Sequence, residues 1–70
     1  MDTFLDRLIT ERDELRNKYE KLDAFLFTEQ FDKLDDVQSA LLQIQHSAMK
    51  TYLQCLNERL IRLEPQIGFE

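Results

Sequence analysis

Apolar side chains recur along the first part of the chain at alternating spacings of three and four residues, the period of one helix face. The positions that keep this spacing are Leu5, Leu8, Leu15, Tyr19, Leu22 and Leu26, with one gap at Arg12. The pattern predicts a first helix over residues 2–27, with an apolar seam of about three heptads. Either Asp2 or Thr3 is suited to cap its start, because short polar side chains accept bonds from the free N–H groups there.

A second helical pattern follows a connection over residues 28–35. Asp35 and Gln38 have the spacing of a capping box, which predicts that the second helix begins near residue 36. Pro65 and Gly68 are expected to end it near residue 63, leaving residues 64–70 as a tail that is either frayed or docked on a neighbouring copy. The broad face of this helix carries Leu41, Leu42, Gln45, Ala48, Met49, Tyr52, Leu56, Leu60 and Leu63.

Two amphipathic helices with a short connection predict an all-α fold, an antiparallel two-helix hairpin. If the turn centres near residue 32, the numbers of facing residues sum to roughly 64. Facing pairs would then include Leu8 with Leu56, Tyr19 with Gln45, and Arg12 with Tyr52. The side chains expected to close the end of the hairpin beside the connection are Phe27, Phe31 and Leu34.

The chain's 70 residues form a single domain, residues 1–70, and so small a core is only marginally stable alone. Cys55 is the only cysteine and His46 the only histidine, so neither an internal disulfide nor a zinc site is expected. The sequence therefore predicts that hairpins assemble into a homo-oligomeric helical bundle without a cofactor. Apolar side chains off the hairpin seam, expected to line contacts between copies, are Phe4, Ile9, Ile44 and Leu53.

The charge of the chain restricts its partners. Its 14 acidic and 9 basic side chains give a net charge of −5, which argues against binding a DNA or RNA polymer but allows a small anionic ligand. No apolar run approaches the length of about 20 residues that a membrane span needs. Asp2 and Asp6 stand where a signal peptide would be basic. We therefore expect a cytoplasmic protein that binds neither a nucleic-acid polymer nor a membrane.

Arg12 and Gln45 interrupt an otherwise apolar seam, and an unpaired buried amide costs about 1–3 kcal/mol. In a structural interpretation, Arg12 reaches solvent or pairs with a carboxylate, and Gln45 fixes the register by bonding to Tyr19. In a functional interpretation, a polar pocket opens between subunits, where rings stack on bases and guanidinium groups bind phosphate. The nearby basic residues Arg16, Lys18 and Lys21 are either a solvated face or a positive rim of a neighbour's pocket.

Catalytic chemistry is not indicated by this sequence. It contains no nucleophile placed beside a base, no glycine-rich phosphate loop and no cluster of metal-ligand residues. We therefore expect a protein that is not an enzyme. The two function classes left are a ligand-sequestering protein and a small protein-interaction or structural module, such as an inhibitor of a host protein that presents an acidic, DNA-like face.

Several segments carry a resemblance to known phage proteins. Glu11-Arg12-Asp13-Glu14-Leu15, Lys18, Lys21-Leu22 and Phe25-Leu26 resemble the first helix of small phage proteins related to a crAss-like phage product. Leu41-Leu42, Gln45, Ala48-Met49, Tyr52, Leu56 and Arg59-Leu60 resemble the second helix of that family. The run Gln45-His46-Ser47-Ala48-Met49 is also similar to the hairpin domain of the phage sponge proteins that counter the CBASS and Thoeris defences.

The resemblance implies a helical-hairpin homo-oligomer, often a hexamer, in the cytosol of the host cell. It implies binding of cyclic dinucleotides, cyclic trinucleotides or cyclic ADP-ribose isomers between subunits, without cleavage. An aromatic ring would stack on a base, and a basic residue of the first helix, either Arg12, Arg16 or Lys18, would bind phosphate. The candidate ligand-binding residues are Arg12, Arg16, Lys18, Tyr19, Gln45, Met49 and Tyr52.

Overall fold

The computed structural model describes the backbone of residues 3–68 and the side chains of residues 3–63. Within that range every regular element is a helix, and no strand is present. The elements are α1 (Phe4–Phe25), α2 (Glu29–Asp32) and α3 (Asp36–Gly68). The predicted all-α class is confirmed, with two long helices and one short helix between them.

A capping box begins α1. The Thr3 hydroxyl accepts a hydrogen bond from the Asp6 amide at 3.0 Å, and the Asp6 carboxylate accepts one from the Thr3 amide at 3.3 Å. Thr3 is therefore the cap, and Asp2, the other candidate, lies outside the described residues. The helix ends at Phe25, earlier than predicted, where the Thr28 hydroxyl donates a bond of 2.7 Å to the Phe25 carbonyl.

The connection between the long helices contains the single turn α2. Thr28 caps it by accepting a hydrogen bond from the Phe31 amide at 3.3 Å. The Phe31 ring packs edge-on against Phe25 at 6.2 Å between centroids. Phe31 and Leu34 are half-buried as predicted, but Phe27 is 85% exposed, so its predicted closing role is wrong. Phe27 lies beyond the last residue of α1, so the direction of its side chain no longer follows the helical period.

The start of α3 agrees with the predicted cap, and its end does not. The Asp35 carboxylate accepts a hydrogen bond of 2.7 Å from the Gln38 amide, and α3 begins at the next residue. The predicted end near residue 63 is wrong, because the helix continues through Pro65 to Gly68. Proline removes only one backbone donor, and its fixed φ of about −65° is itself helical. Residues 69–70 and the side chains of 64–68, on which the predicted tail contacts fall, lie outside the description.

The two long helices pack against each other in opposite directions. Near the start of α1, Leu8 lies in a buried cluster with Leu56 and Leu60 of α3. Near the end of α1, Asp23 contacts His46 at 2.9 Å. Both this pair and Arg12 with Asn57 have numbers that sum to 69. Other contacts stay near the predicted sum of 64: Leu8 lies in one buried cluster with Leu56, and the Tyr19 ring stacks on His46, a sum of 65. The apolar and aromatic contacts thus agree with the predicted register, and the hydrogen bonds of Arg12 and Asp23 reach residues about five positions further along α3.

The inner seam of α3, the set of side chains shielded on the side of α1, keeps alternating spacings of mainly three and four. It comprises Ser39, Leu42, His46, Met49, Leu53, Leu56, Leu60 and Leu63, all buried or half-buried. Leu41, Gln45, Ala48 and Tyr52, predicted for the same face, are instead exposed. Leu53 and Ile9 were expected at contacts between copies, but Leu53 belongs to the inner seam and Ile9 packs against the core cluster. Phe4 and Ile44 are exposed, as that expectation requires.

The molecule is elongated, with principal extents of 52 × 20 × 16 Å. Its radius of gyration is 15.9 Å, whereas a compact domain of this length has about 11 Å. The long dimension matches the helix α3, whose 33 residues span about 50 Å. No helix in the described part of the chain is both long and apolar enough to cross a membrane.

Candidate functional site

Arg12 lies between α1 and α3 with its side chain 23% exposed. Its Nε donates to Asp13 Oδ1 at 2.7 Å, and its Nη1 donates to Asn57 Oδ1 at 3.2 Å. The predicted level with Tyr52 is wrong, because the Arg12 guanidinium bonds to Asn57 and the Tyr52 side chain is exposed. A guanidinium has five N–H donors, so three remain after these two bonds. Arg12 is thus paired within the chain and still able to bind an anion.

Tyr19 and His46 form a second polar level of the interface. Their rings stack with centroids 4.8 Å apart and planes inclined by 25°. His46 also contacts Asp23, with Nε2 lying 2.9 Å from Oδ1. In the tautomer that carries its hydrogen on Nε2, His46 donates a hydrogen bond to this carboxylate. The predicted bond from Gln45 to Tyr19 is wrong, since His46 occupies that place.

His46 is the residue of this cluster that sequence reasoning missed. The sequence offered a signal for it: His46 is four residues after Leu42 and three before Met49, and so keeps the spacing of the inner seam. Because histidine is polar, it was not counted among the apolar positions that defined the seam. Together with Arg12 and Asn57, it gives the interface two polar levels, and His46 and Asn57 lie about three turns of α3 apart.

Gln45, Met49 and Tyr52 follow one another along α3. Gln45 is exposed, and its Nε2 lies 3.9 Å from Met49 Sδ, at the long limit for a bond to sulfur. Met49 is half-buried in the inner seam, and the Tyr52 ring is exposed. These three side chains lie outside the Tyr19–His46 stack, so one copy of the chain does not enclose all the predicted residues.

Arg16 and Lys18 are exposed on α1. Among the side chains that the structure describes, neither makes an ion pair; the pairs of charged side chains present are Arg12–Asp13 and Arg62–Glu58. Both side chains are thus free to meet an anionic group from outside the chain.

A shallow groove at the far end of the two helices was not predicted. Its volume is about 300 Å³, and it is lined by Phe4, Glu58, Arg59, Arg62 and Leu63. The Arg59 guanidinium carbon lies 6.0 Å from the centroid of the Phe4 ring, and Arg62 pairs with Glu58 at 3.1 Å. The guanidinium groups of Arg59 and Arg62 lie beside the apolar side chains of this groove, which favours binding of a planar or anionic group. The groove is open to solvent.

The buried polar atoms of this interface have hydrogen-bond partners within the described part of the chain. In the described residues, no buried side-chain nitrogen or oxygen lacks a hydrogen-bond partner. Across the same part of the chain, no three or more His, Cys, Asp or Glu side chains are grouped to hold a metal ion. The groups that the described site presents are guanidinium, amide and aromatic side chains, which can bind a ligand through hydrogen bonds and ring stacking.

Comparison with known proteins places most of this chain in a described family. A family model described as Sequestin matches residues 2–62 of this chain. The matched region includes α1, α2 and most of α3, so it covers every candidate ligand-binding residue. No curated protein and no solved structure gives a significant match.

Proposed function

Because the chain belongs to the Sequestin family, we propose that it sequesters a small signalling molecule and releases it unchanged. The match over residues 2–62 is the observation that carries this proposal, since the family name denotes sequestration. The proposed ligand class rests on the resemblance of both helices to small phage proteins and on the similarity of the run from Gln45 to Met49 to the hairpin domain of phage sponge proteins. The proposed ligand is a cyclic nucleotide immune signal: a cyclic dinucleotide, a cyclic trinucleotide or a cyclic ADP-ribose isomer.

The proposed setting is the cytosol of an infected bacterium, where the protein would act for the phage against CBASS or Thoeris signalling. A sponge of this kind works by mass action, so the concentration of its binding sites must be at least similar to that of the signal. Its dissociation constant must also lie well below that concentration. A nanomolar constant corresponds to about 12 kcal/mol of binding free energy, which one exposed helix face does not readily supply.

The proposed binding unit is therefore an assembly of antiparallel hairpins of α1 and α3, as large as the hexamer that the resemblance implies. Among the side chains that the structure describes, one copy buries Leu8, Leu56 and Leu60, and it exposes more large apolar side chains than it buries. Soluble monomers rarely leave a large contiguous apolar patch in water. Association would cover these side chains and close a ligand pocket on two sides.

In this pocket the basic side chains of α1 would bind phosphate, and the tyrosines would stack on bases. Arg12 has three unused donors beside its bonds to Asp13 and Asn57. Charge-assisted bonds from guanidinium to phosphate are among the strongest that a protein makes. Tyr52 and Gln45 are exposed. At a contact with a neighbouring copy, the ring of Tyr52 and the amide of Gln45 would be able to contact a base.

The test is native mass spectrometry of the purified protein with a panel of cyclic dinucleotides, cyclic trinucleotides and cyclic ADP-ribose isomers. We expect one class to bind at a fixed ratio to the oligomer and to disappear from the free pool. Heating should then denature the protein and return the same molecule with unchanged mass. A linear dinucleotide of the same bases is the matched control ligand.

Two results contradict the proposal. Recovery of a cleaved product would show an enzyme, and no binding across the panel would remove the sponge. The second result would favour the alternative, a protein-interaction module, because α3 exposes Val37, Leu41 and Ile44 to any partner. Arg12→Leu, Arg16→Leu and Lys18→Leu, tested separately against the bound ligand, identify which basic residue contacts phosphate.

A further inference from the structure

α3 carries a second apolar surface, the outer stripe, which does not face α1. The outer stripe consists of Val37, Leu41, Ile44, Ala48, Tyr52 and Cys55, all of them exposed. Its four largest members are exposed by 68% (Val37), 53% (Leu41), 64% (Ile44) and 45% (Tyr52). With about 3.6 residues per turn, these positions share one face, rotated by roughly a third of a turn from the inner seam.

Charge is distributed unevenly between the two long helices. Eleven of the 22 residues of α1 are Asp, Glu, Lys or Arg. Along α3, by contrast, Lys50 is the only such residue from position 37 to position 57. A solvated helix normally carries charged side chains on its outer face. The outer face of α1 has this character, and the outer stripe of α3 does not.

We propose that the outer stripe binds the outer stripe of a second copy of this chain. The two α3 helices would lie antiparallel, related by a two-fold axis near the level of residue 46. The inference rests on the assembly part of the proposed function and does not depend on which ligand is bound. It names the face that the assembly uses.

A second copy is the occupant that the charges favour. Each chain has a net charge of −5, so two chains repel unless their charged surfaces point apart. Contact through the outer stripes places the charged face of each α1 away from the interface. An anionic membrane or a nucleic acid would instead need several basic side chains beside the stripe, and the segment offers only Lys50.

The antiparallel direction follows from the spacing of the outer stripe, which is nearly symmetric about residue 46. Val37 and Cys55 lie nine residues on either side of it, and Ile44 and Ala48 lie two residues on either side. Antiparallel contact therefore sets the large Ile44 against the small Ala48 of the second copy. Parallel contact would set Ala48 against Ala48 and leave a gap, which packed interfaces avoid.

The first experiment introduces a charge at the centre of the outer stripe. Ile44→Lys should weaken self-association at least about tenfold, because an unpaired lysine would be buried between the copies. Sedimentation equilibrium at several protein concentrations measures this change, and circular dichroism checks that the helices persist. Ile61→Lys is the matched control, because Ile61 is an exposed isoleucine of α3 that lies off the stripe. It should keep the wild-type oligomer mass.

The second experiment tests direction, using the single native cysteine as a probe. Val37→Cys should be joined to Cys55 of the second copy by a short bismaleimide, giving a covalent dimer on a denaturing gel. Within one chain these positions are about 27 Å apart along the helix, which exceeds the reach of such a reagent. Asp36→Cys, rotated by about 100° from the stripe, is the control and should react several-fold less.

Each other result has a definite meaning. A monomeric wild-type protein overturns both this inference and the assembly in the proposed function. An oligomer that survives Ile44→Lys, or efficient joining of Cys55 to Cys55 in the wild type, overturns the antiparallel stripe contact and leaves sequestration standing. An assembly with the expected links that binds no signal from the panel supports the stripe contact and removes the proposed ligand class.

Discussion

Arg12 and His46 occupy sites between the two long helices where an apolar side chain would ordinarily pack. Each is accommodated by partners from the other helix: Asn57 for Arg12, and Tyr19 with Asp23 for His46. Polar pairs of this kind contribute little net stability, but a displaced register leaves them unpaired in a poorly hydrated site. They therefore favour one alignment of α1 and α3 over its neighbours.

At this scale we predict a coupling between Arg12 and Asn57. Arg12→Leu alone should lower the free energy of unfolding by about 1 kcal/mol, because the half-buried Asn57 side chain loses its partner. The double variant with Asn57→Leu should be at least as stable as the wild type, since both polar groups are then replaced. Urea denaturation at one fixed protein concentration measures the four stabilities of the cycle.

Arg16→Leu provides the control for that cycle. It removes the same charge from an exposed site of α1 and should shift stability by less than about 0.5 kcal/mol. Additive effects of Arg12→Leu and Asn57→Leu would show that the 3.2 Å bond between them has no energetic role.

Helix ends decide where the elements of this chain begin and stop. Thr3, Thr28 and Asp35 each accept a hydrogen bond from the amide three residues later. The Asp35 bond, at 2.7 Å, is the shortest of the three and carries a charge. It precedes the helix that holds both the inner seam and the outer stripe, so its loss should affect the whole molecule.

For the element scale we predict that Asp35→Ala lowers the free energy of unfolding by about 1 kcal/mol, the usual effect of removing a helix cap. Asp35→Asn is the control, because asparagine caps a helix about as well as aspartate. Thermal melts followed by circular dichroism compare the three proteins. Equal losses for alanine and asparagine would mean that the charge of Asp35 matters and its capping bond does not.

As a whole, the molecule is a thin pair of helices with a small core at one end. Leu8, Leu56 and Leu60 are its buried side chains among those described, and they lie near the start of α1 and in the later half of α3. Toward the connection, the facing side chains Leu22, Leu26 and Leu42 are only half-buried. Stability is therefore concentrated at one end, and the other end stands to gain most from association.

We predict that Leu56→Ala unfolds much of the protein. Leu56 is 0% exposed, and truncating a buried leucine costs about 2–5 kcal/mol. Single domains have about 5–15 kcal/mol of stability in all, and so short a chain lies near the lower end. Far-ultraviolet circular dichroism at 25 °C should show the loss of helix. Ile61→Ala, at an exposed site of the same helix, should leave the spectrum unchanged.

Much of the fold was readable from local patterns. The helical class, the cap at Asp35 and the inner positions of α1 follow from residues a few places apart, whose spacing a helix imposes. The candidate site was less accessible to such reasoning. Arg12 was identified as a polar residue in the seam, but its partner Asn57 and the stack of His46 on Tyr19 were not. Both depend on the register between helices far apart in the chain.

The sequence by itself therefore determined that the chain forms two long helices, where α3 begins and which side chains of α1 turn inward. Those properties depend on backbone geometry and on nearest neighbours along the chain. Only the tertiary structure decided that facing residues near Arg12 and Asp23 sum to 69 and that Phe27 is exposed. It also divided the apolar positions of α3 into an inner seam and an outer stripe. Which residue of α3 a polar side chain of α1 meets does not alter the periodicity of either helix, so only the packing between the helices selects it.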